Sequence, residues 1–220
     1  PFGKKYGECN IECATALEDI IKTEGPDTVG SVVLEPITAG GGVIPPVPEY
    51  FPIIESICRK YDVLLHIDEV VCGLGRTGKW FGYQHYDVQP DIVTTAKGLA
   101  AGYAAVSITV TTERIFNMFK EDPSNTDSYF RDISTFGGST AGPAAALEVL
   151  KIIKREKLIE NINVVGDYLK NKLLELQDKH EMIGEVRGKG LFCGIELVKD
   201  RATKEPVDEK VAIAVAGHCF

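Results

Sequence analysis

Two continuous apolar runs separated by a helix-length segment constrain this chain more than any other feature. Val32-Val33-Leu34 lies in a strand-like stretch, Ser31 to Glu35, and Val63-Leu64-Leu65 in a second, Asp62 to Val71. Between them comes a loop with Gly40, Gly41, Gly42 and the Pro45-Pro46 pair, and then Glu49 to Tyr61 with apolar residues at helical spacing. Apolar residues at consecutive positions mark strands covered on both faces, and a strand, crossover helix and strand in that order join parallel neighbours with a right-handed connection. Asp91 to Ala96 and Ala104 to Val110 read as two further strands, and Ile11 to Thr23, stopped by Gly25-Pro26, as an earlier helix. The expectation is an α/β fold of three layers around a mostly parallel sheet.

Beyond Glu121 the character changes. A polar stretch, Glu121 to Asp132, leads into a Gly-rich turn at Thr135 to Gly142 and a long helical pattern from Pro143 to about Lys179, with a break expected at Asn161 to Asn163. Ile183 to Arg187 and Leu191 to Val198 read as strands joined by Gly188-Lys189-Gly190. This predicts part of a large domain over residues 1–142, connecting helices over 143–180, and the start of a smaller α+β C-terminal domain over 181–220. The chain opens at Pro1 and closes with Val211 to Phe220 inside an uncapped helical pattern, so it is expected to be a piece of a larger protein.

Composition removes several classes of function. Lys and Arg number 24 against 32 Asp and Glu, a net charge of -8, so no basic surface is available to neutralise many phosphates of a nucleic acid. The longest mostly apolar stretch, Leu99 to Val110, is interrupted by Gly102, Ser107 and Thr109 and falls short of the roughly 20 residues that cross a bilayer. Six cysteines without a C-x-x-C pair fit buried thiols in a reducing cytosol, and the four histidines show no ligand spacing, so no metal site is expected.

Three motifs mislead. Gly73-Leu74-Gly75-Arg76-Thr77-Gly78 satisfies G-x-G-x-x-G after a strand, with Asp91 at a distance suited to a ribose, but Lys79 to Tyr86 is broken by Gly82 and offers no phosphate-facing helix. Extended to Lys79 the same residues match a P-loop, except that Trp80 stands where a magnesium-binding hydroxyl belongs. His66, His85 and the basic run Lys151 to Lys157 are read as structural or solvated.

Asp68 and Glu69 end the most apolar strand just before a glycine-rich turn, at the edge where an open α/β sheet places its ligand crevice. Lys97 follows another strand, with Ala96, Gly98, Ala100 and Ala101 clearing space around it. A structural ion pair is one explanation. The other is chemical: a lysine hemmed in by small residues is an imine-forming nucleophile, and an aspartate facing a pyridine nitrogen sustains an electron sink, which together are the minimum equipment for pyridoxal phosphate chemistry.

Leu34 to Gly42, Leu65 to Gly78, Pro90 to Leu99 and Ser134 to Gly138 together resemble the class III aminotransferases, in order. The spacings agree with that family: 33 residues from Glu35 to Asp68, 29 from Asp68 to Lys97 and 38 from Lys97 to Thr135. The resemblance implies the large domain of a fold-type I transferase that uses pyridoxal 5'-phosphate. By position it makes Lys97 the covalent attachment point of the cofactor and the acid-base group, Asp68 the partner of the pyridine nitrogen, and Val70 the packing on the ring face. Thr135 becomes a phosphate ligand offered to a neighbouring subunit, which implies a homodimer with a shared active site, and Glu35 orders the pocket beneath the cofactor.

Many members carry Gln where this chain has Val71, and branches that use pyruvate as amino acceptor commonly carry an aliphatic residue there. Ser134 to Leu147 together with Arg76 to Tyr86 is most similar to the taurine:pyruvate branch, implying an amine donor, a keto acid acceptor, and an aldehyde and alanine as products. A β-alanine or other ω-amino acid aminotransferase, a decarboxylase, an aminomutase or an epimerase would use the same pair. A P-loop nucleotide-binding protein is the rival from another class, and an inactive fragment is a third reading. The family segments that stack on the cofactor, and the arginine that receives the substrate's acidic group, would lie outside this chain.

Overall fold

The computed structural model describes residues 3–120, 124, 130–135 and 137–218. Within them α1 is Glu12–Glu24, β1 Ser31–Leu34, α2 Tyr50–Lys60, β2 Leu64–Asp68, β3 Ile92–Thr95, β4 Ile108–Thr111 and α3 Glu113–Met118. They are followed by α4 Ala141–Arg155, α5 Leu158–Lys179, β5 Ile183–Lys189, β6 Phe192–Asp200, β7 Glu205–Pro206 and α6 Glu209–His218. The first four strands form one sheet in chain order, β1, β2 and β3 parallel and β4 antiparallel at the edge. The expected α/β class and mostly parallel sheet are present.

In α2, Phe51, Ile54, Ile57 and Cys58 recur at helical spacing and are all buried. They meet Ala14 and Ile21 of α1 and, from β2, Leu65 and Ile67. Fully burying a side chain such as Phe51 contributes on the order of 2–3 kcal/mol, so this seam is the main source of the sheet's stability. Because strand residues alternate, Leu65 and Ile67 enter the core while His66 and Asp68 emerge half-buried on the other face. On that face Val33 is 54% exposed, so among the described residues helices cover one side of the sheet and two of the three expected layers are seen.

Three boundaries differ from the sequence reading. The long helical pattern breaks at Glu156 and Lys157, where Lys157 is left-handed with φ 51°, and not at residues 161–163, which lie inside α5. The strand expected from Ala104 begins only at Ile108, because 104–107 carry the chain past the start of α4, where Gly142 touches Val106. The second strand stops at Asp68 and does not reach Val71, since a turn begins there. Most of the polar stretch 121–132, Phe136 of the Ser134 to Gly138 motif, and Cys219 fall outside the described residues.

A second, antiparallel sheet of β5, β6 and β7 precedes α6. It docks on the first through backbone: Gly190 abuts Thr77 and Gly78 so closely that a Cβ would lie 2.6 Å from the Thr77 carbonyl carbon, and the Leu191 N–H donates to the Arg76 carbonyl at 3.1 Å. Arg187 of β5 also donates through Nε to the carbonyls of Gly42 and Val43, at 2.9 and 3.1 Å.

Candidate active site

The parallel ladder decides how Asp68 and Lys97 lie. Asp68 pairs with Thr94, and Lys97 follows Thr94 by three residues, so both leave the carboxyl edge of neighbouring parallel strands. Ligands of open α/β sheets bind outside that edge. Asp68 is half-buried, and its Oδ1 accepts the N–H of Val70 at 2.9 Å, which bends the chain back over the strand end.

Lys97 opens a short 3-10 turn, Lys97–Ala100, with φ 46°, a left-handed conformation that lysine rarely adopts. The fold holds it there because Leu99 and Ala100, just beyond, are buried. Strained backbone of this kind gathers at functional sites. Among the described residues the Lys97 ammonium has neither an ion pair nor a side-chain hydrogen bond. The structural ion pair weighed above is therefore not formed.

Lys97 lines two cavities. One, of about 420 Å³, is walled by Val70, Val71, Leu74, Arg76 and Ala96; the other, of about 720 Å³, by Ala105, Val106, Ser107, Asp132 and Ser134. Val70 and Lys97 thus share a wall. Thr135 is exposed and lines neither cavity, although Ser134 and Gly137 on either side of it line the larger one. Asp132 organises that segment by accepting the N–H and Oγ–H of Ser134 at 2.9 and 2.6 Å. Glu35 is not brought to Lys97. It lines a separate, mostly apolar cavity of about 350 Å³ with Leu34, Cys13 and Tyr50, and its carboxylate accepts the Ala39 N–H at 3.0 Å.

The sequence reading placed Asp68 and Glu69 together at the rim. Glu69 is instead fully buried, its two oxygens accepting the N–H groups of Gly82 and Tyr83 at 2.9 and 2.8 Å. Burial pushes its carboxyl up to about 7; the two amides oppose this and the nearby Asp68 charge adds to it. Successive strand residues face opposite sides, so the signal that separates the two acids was present in their adjacency.

The other titratable groups have structural partners. Asp91 Oδ2 pairs with Arg59 at 2.5 Å and accepts the Leu65 N–H at 2.9 Å, and its Oδ1 lies 3.5 Å from Arg114, so the carboxylate is committed to structural partners and not to a ribose. His66 bonds Thr94 Oγ1 at 3.2 Å, and His85 bonds the carbonyl and hydroxyl of Thr77 at 3.1 Å. Lys79 donates to the Gln84 carbonyl at 2.6 Å, and the 73–78 turn packs on Ile159 and Ile162 of α5 in place of cradling a phosphate.

Against known protein families, residues 2–217 match one described as aminotransferase class-III. The chain belongs to that family. As a class III aminotransferase chain it is 60% identical over 219 residues to the taurine--pyruvate aminotransferase of Bilophila wadsworthia, covering 98% of this chain and 48% of that protein. It is likewise 60% identical over 217 residues to the hypotaurine/taurine--pyruvate aminotransferase of Paracoccus denitrificans, covering 99% and 47%. Among solved structures, a Bacillus anthracis aminotransferase superimposes with a TM-score of 0.91 at 40% identity, covering 96% of this chain and 46% of that one. The class III chain spans about half the length of the curated relatives it matches, and its fold is that of the transaminases.

Proposed function

We propose that the protein containing this chain is a pyridoxal phosphate-dependent aminotransferase that moves the amino group of taurine to pyruvate, releasing an aldehyde and alanine. The observation that carries it is the placement of Asp68 and Lys97 at the carboxyl edge of adjacent parallel strands, with an unpaired Lys97 opening on two cavities. The donor and acceptor rest on the 60% identity to taurine--pyruvate aminotransferases. The absence of a membrane-crossing helix among the described residues, together with five unpaired cysteines, is compatible with a reducing, cytoplasmic setting.

The residues fit pyridoxal phosphate. Small neighbours at Ala96, Gly98 and Ala101 leave room beside Lys97, and Val70 gives an apolar wall for a ring. When bound, the cofactor supplies an electron sink that acidifies the C–H bond next to the substrate nitrogen. Lys97 would hold the cofactor covalently and its amine would serve as the group that moves a proton at the reacting carbon. Asp68 would stand at the pyridine nitrogen and favour its protonated form. Thr135, exposed on its loop, is assigned to a phosphate across the interface of a homodimer, and Glu35 to ordering the Gly-rich loop through Ala39.

Incubating the full-length protein with taurine, pyruvate and cofactor, and measuring alanine, tests the assignment. Alanine formed from taurine at a higher kcat/KM than from β-alanine is the expected result. Carbon dioxide released from β-alanine without alanine formed would assign the same pair to a decarboxylase, and a lighter-than-dimer mass in solution would remove the role given to Thr135.

A further inference from the structure

Glu69 is pinned at four points. Its N–H donates to the Thr94 carbonyl at 2.8 Å, its own carbonyl accepts the Gly73 N–H at 3.0 Å, and its two carboxylate oxygens are taken by Gly82 and Tyr83. The residues on either side of it, Asp68 and Val70, are joined by the bond from the Val70 N–H to Asp68 Oδ1. Asp68, assigned above to the pyridine nitrogen, and Val70, which walls the cavity beside Lys97, therefore both hang from Glu69.

The chemistry of this anchor is specific. Two N–H donors meeting two separate side-chain oxygens fit a carboxyl group, whose oxygens both keep lone pairs, whereas Gln offers one acceptor and would turn an NH2 toward the second amide. Gly82 is equally required: a Cβ there would lie 2.8 Å from Cys72 Cβ and 2.9 Å from Pro36 Cβ, so only glycine brings this amide to Glu69. Among the described residues no cation pairs with this carboxyl group. The titratable groups around it are Asp68 on its own strand, Cys72 on the turn and Tyr86 beyond the 82–85 turn. From β3 comes Thr95, whose buried hydroxyl has no partner. Burying a carboxyl group without a counter-charge is costly.

We propose that Glu69 is the positioning residue for Asp68: clasped on the inner side of the sheet edge, it fixes where the Asp68 carboxylate stands on the outer side and so sets how tightly the pyridine nitrogen is held. This rests on the function proposed above for Asp68 and Lys97.

The test uses full-length protein reconstituted with pyridoxal phosphate, with three readouts: melting temperature, cofactor dissociation constant, and the pH midpoint of the cofactor's near-ultraviolet and visible band. Wild type should show a band that borohydride reduction fixes to the chain and Lys97→Ala should not; a wild type without it overturns the reading of Lys97 and Asp68, and this assignment with it. Given that band, Glu69→Ala should weaken cofactor binding by about tenfold and displace the pH midpoint, with Glu69→Gln recovering part of both. A Glu69→Ala protein that melts lower but keeps the wild-type dissociation constant and midpoint overturns the proposal. Should that variant fail to fold, Glu69→Gln decides: wild-type values in both readouts refute a positioning role, and displaced values support it.

Discussion

Asp68 pairs with Thr94 across the parallel β2 and β3 ladder, and three residues past Thr94 the chain enters a left-handed conformation at Lys97. The ladder sets both residues at the ends of neighbouring strands, and the turn at Lys97 is strained. That strain has a measurable cost. A left-handed L-residue is disfavoured by about 1–2 kcal/mol, a penalty glycine escapes.

Lys97→Ala and Lys97→Gly should both abolish transamination and the cofactor band that borohydride fixes to the chain, since each removes the attaching amine. They should differ in stability. In the cofactor-free protein Lys97→Gly is expected to exceed Lys97→Ala by about 1 kcal/mol in urea denaturation, the glycine's extra unfolded-state entropy offsetting part of the relief. A Lys97→Gly midpoint below that of Lys97→Ala would mean that the turn at Lys97 is unstrained.

Glu69 makes the fold sensitive to base. Its carboxyl lies near 7 when folded, above the ordinary carboxylate value of 4.5, so between these values the folded chain binds more protons than the unfolded one. Stability then falls as pH rises from about 4.5 to about 7 and levels off above, a loss of about 3 kcal/mol from this group. Glu69→Gln removes that slope. It should be less stable than wild type at pH 5, where it lacks one of two acceptors, and the gap should close or reverse by pH 8, as read by urea denaturation at the two pH values.

His85 acts in the opposite sense. Burial, with Lys189 and Lys79 adding, pulls its imidazole down to about 4 from 6.5. The unfolded chain therefore takes the proton first, and the stability this neutral ring contributes is present above pH 6.5 and lost as pH falls toward 4. The slopes of Glu69 and His85 oppose one another over about pH 4.5–6.5. His85→Gln should consequently show a steeper decline with rising pH across that interval than wild type, measured by thermal melts in matched buffers. A parallel pH profile for the two proteins would refute the neutral, buried His85.

Much of this was legible in the residues. The apolar runs at Val32 to Leu34 and Val63 to Leu65 specified adjacent parallel strands, and the small residues around Lys97 marked a place with room for a ligand. What escaped depended on information that periodicity does not carry. The helical pattern runs smoothly through residues 156 and 157, so the break at Lys157 is a tertiary effect of α5 turning onto the 73–78 turn and Gly190. Continuous apolar runs also predicted cover on both faces of the sheet, while Val33 shows that hydrophobicity records what a face is suited to meet and not what meets it in these residues. Glu35 sits level with Asp68 at its strand end, yet its carboxylate turns to Ala39, a choice made by loop geometry that spacing alone does not reveal.

The junction between the two sheets offers the last prediction. Arg187 is 13% exposed in its side chain and holds the carbonyls of Gly42 and Val43 while pairing with Glu196 and, at 3.1 Å, Glu185. Both carbonyls belong to the loop that Glu35 fastens at Ala39, so one arginine ties β5 to the loop following β1. Arg187→Ala leaves those carbonyls without their donor and should cost about 2 kcal/mol in chemical denaturation, with faster protease cleavage within residues 40–45. Arg187→Lys, which replaces a planar fork by a point charge, should recover only part of that loss. Wild-type denaturation and cleavage in Arg187→Ala would show that the second sheet is held to the first by Gly190 and its backbone contacts alone.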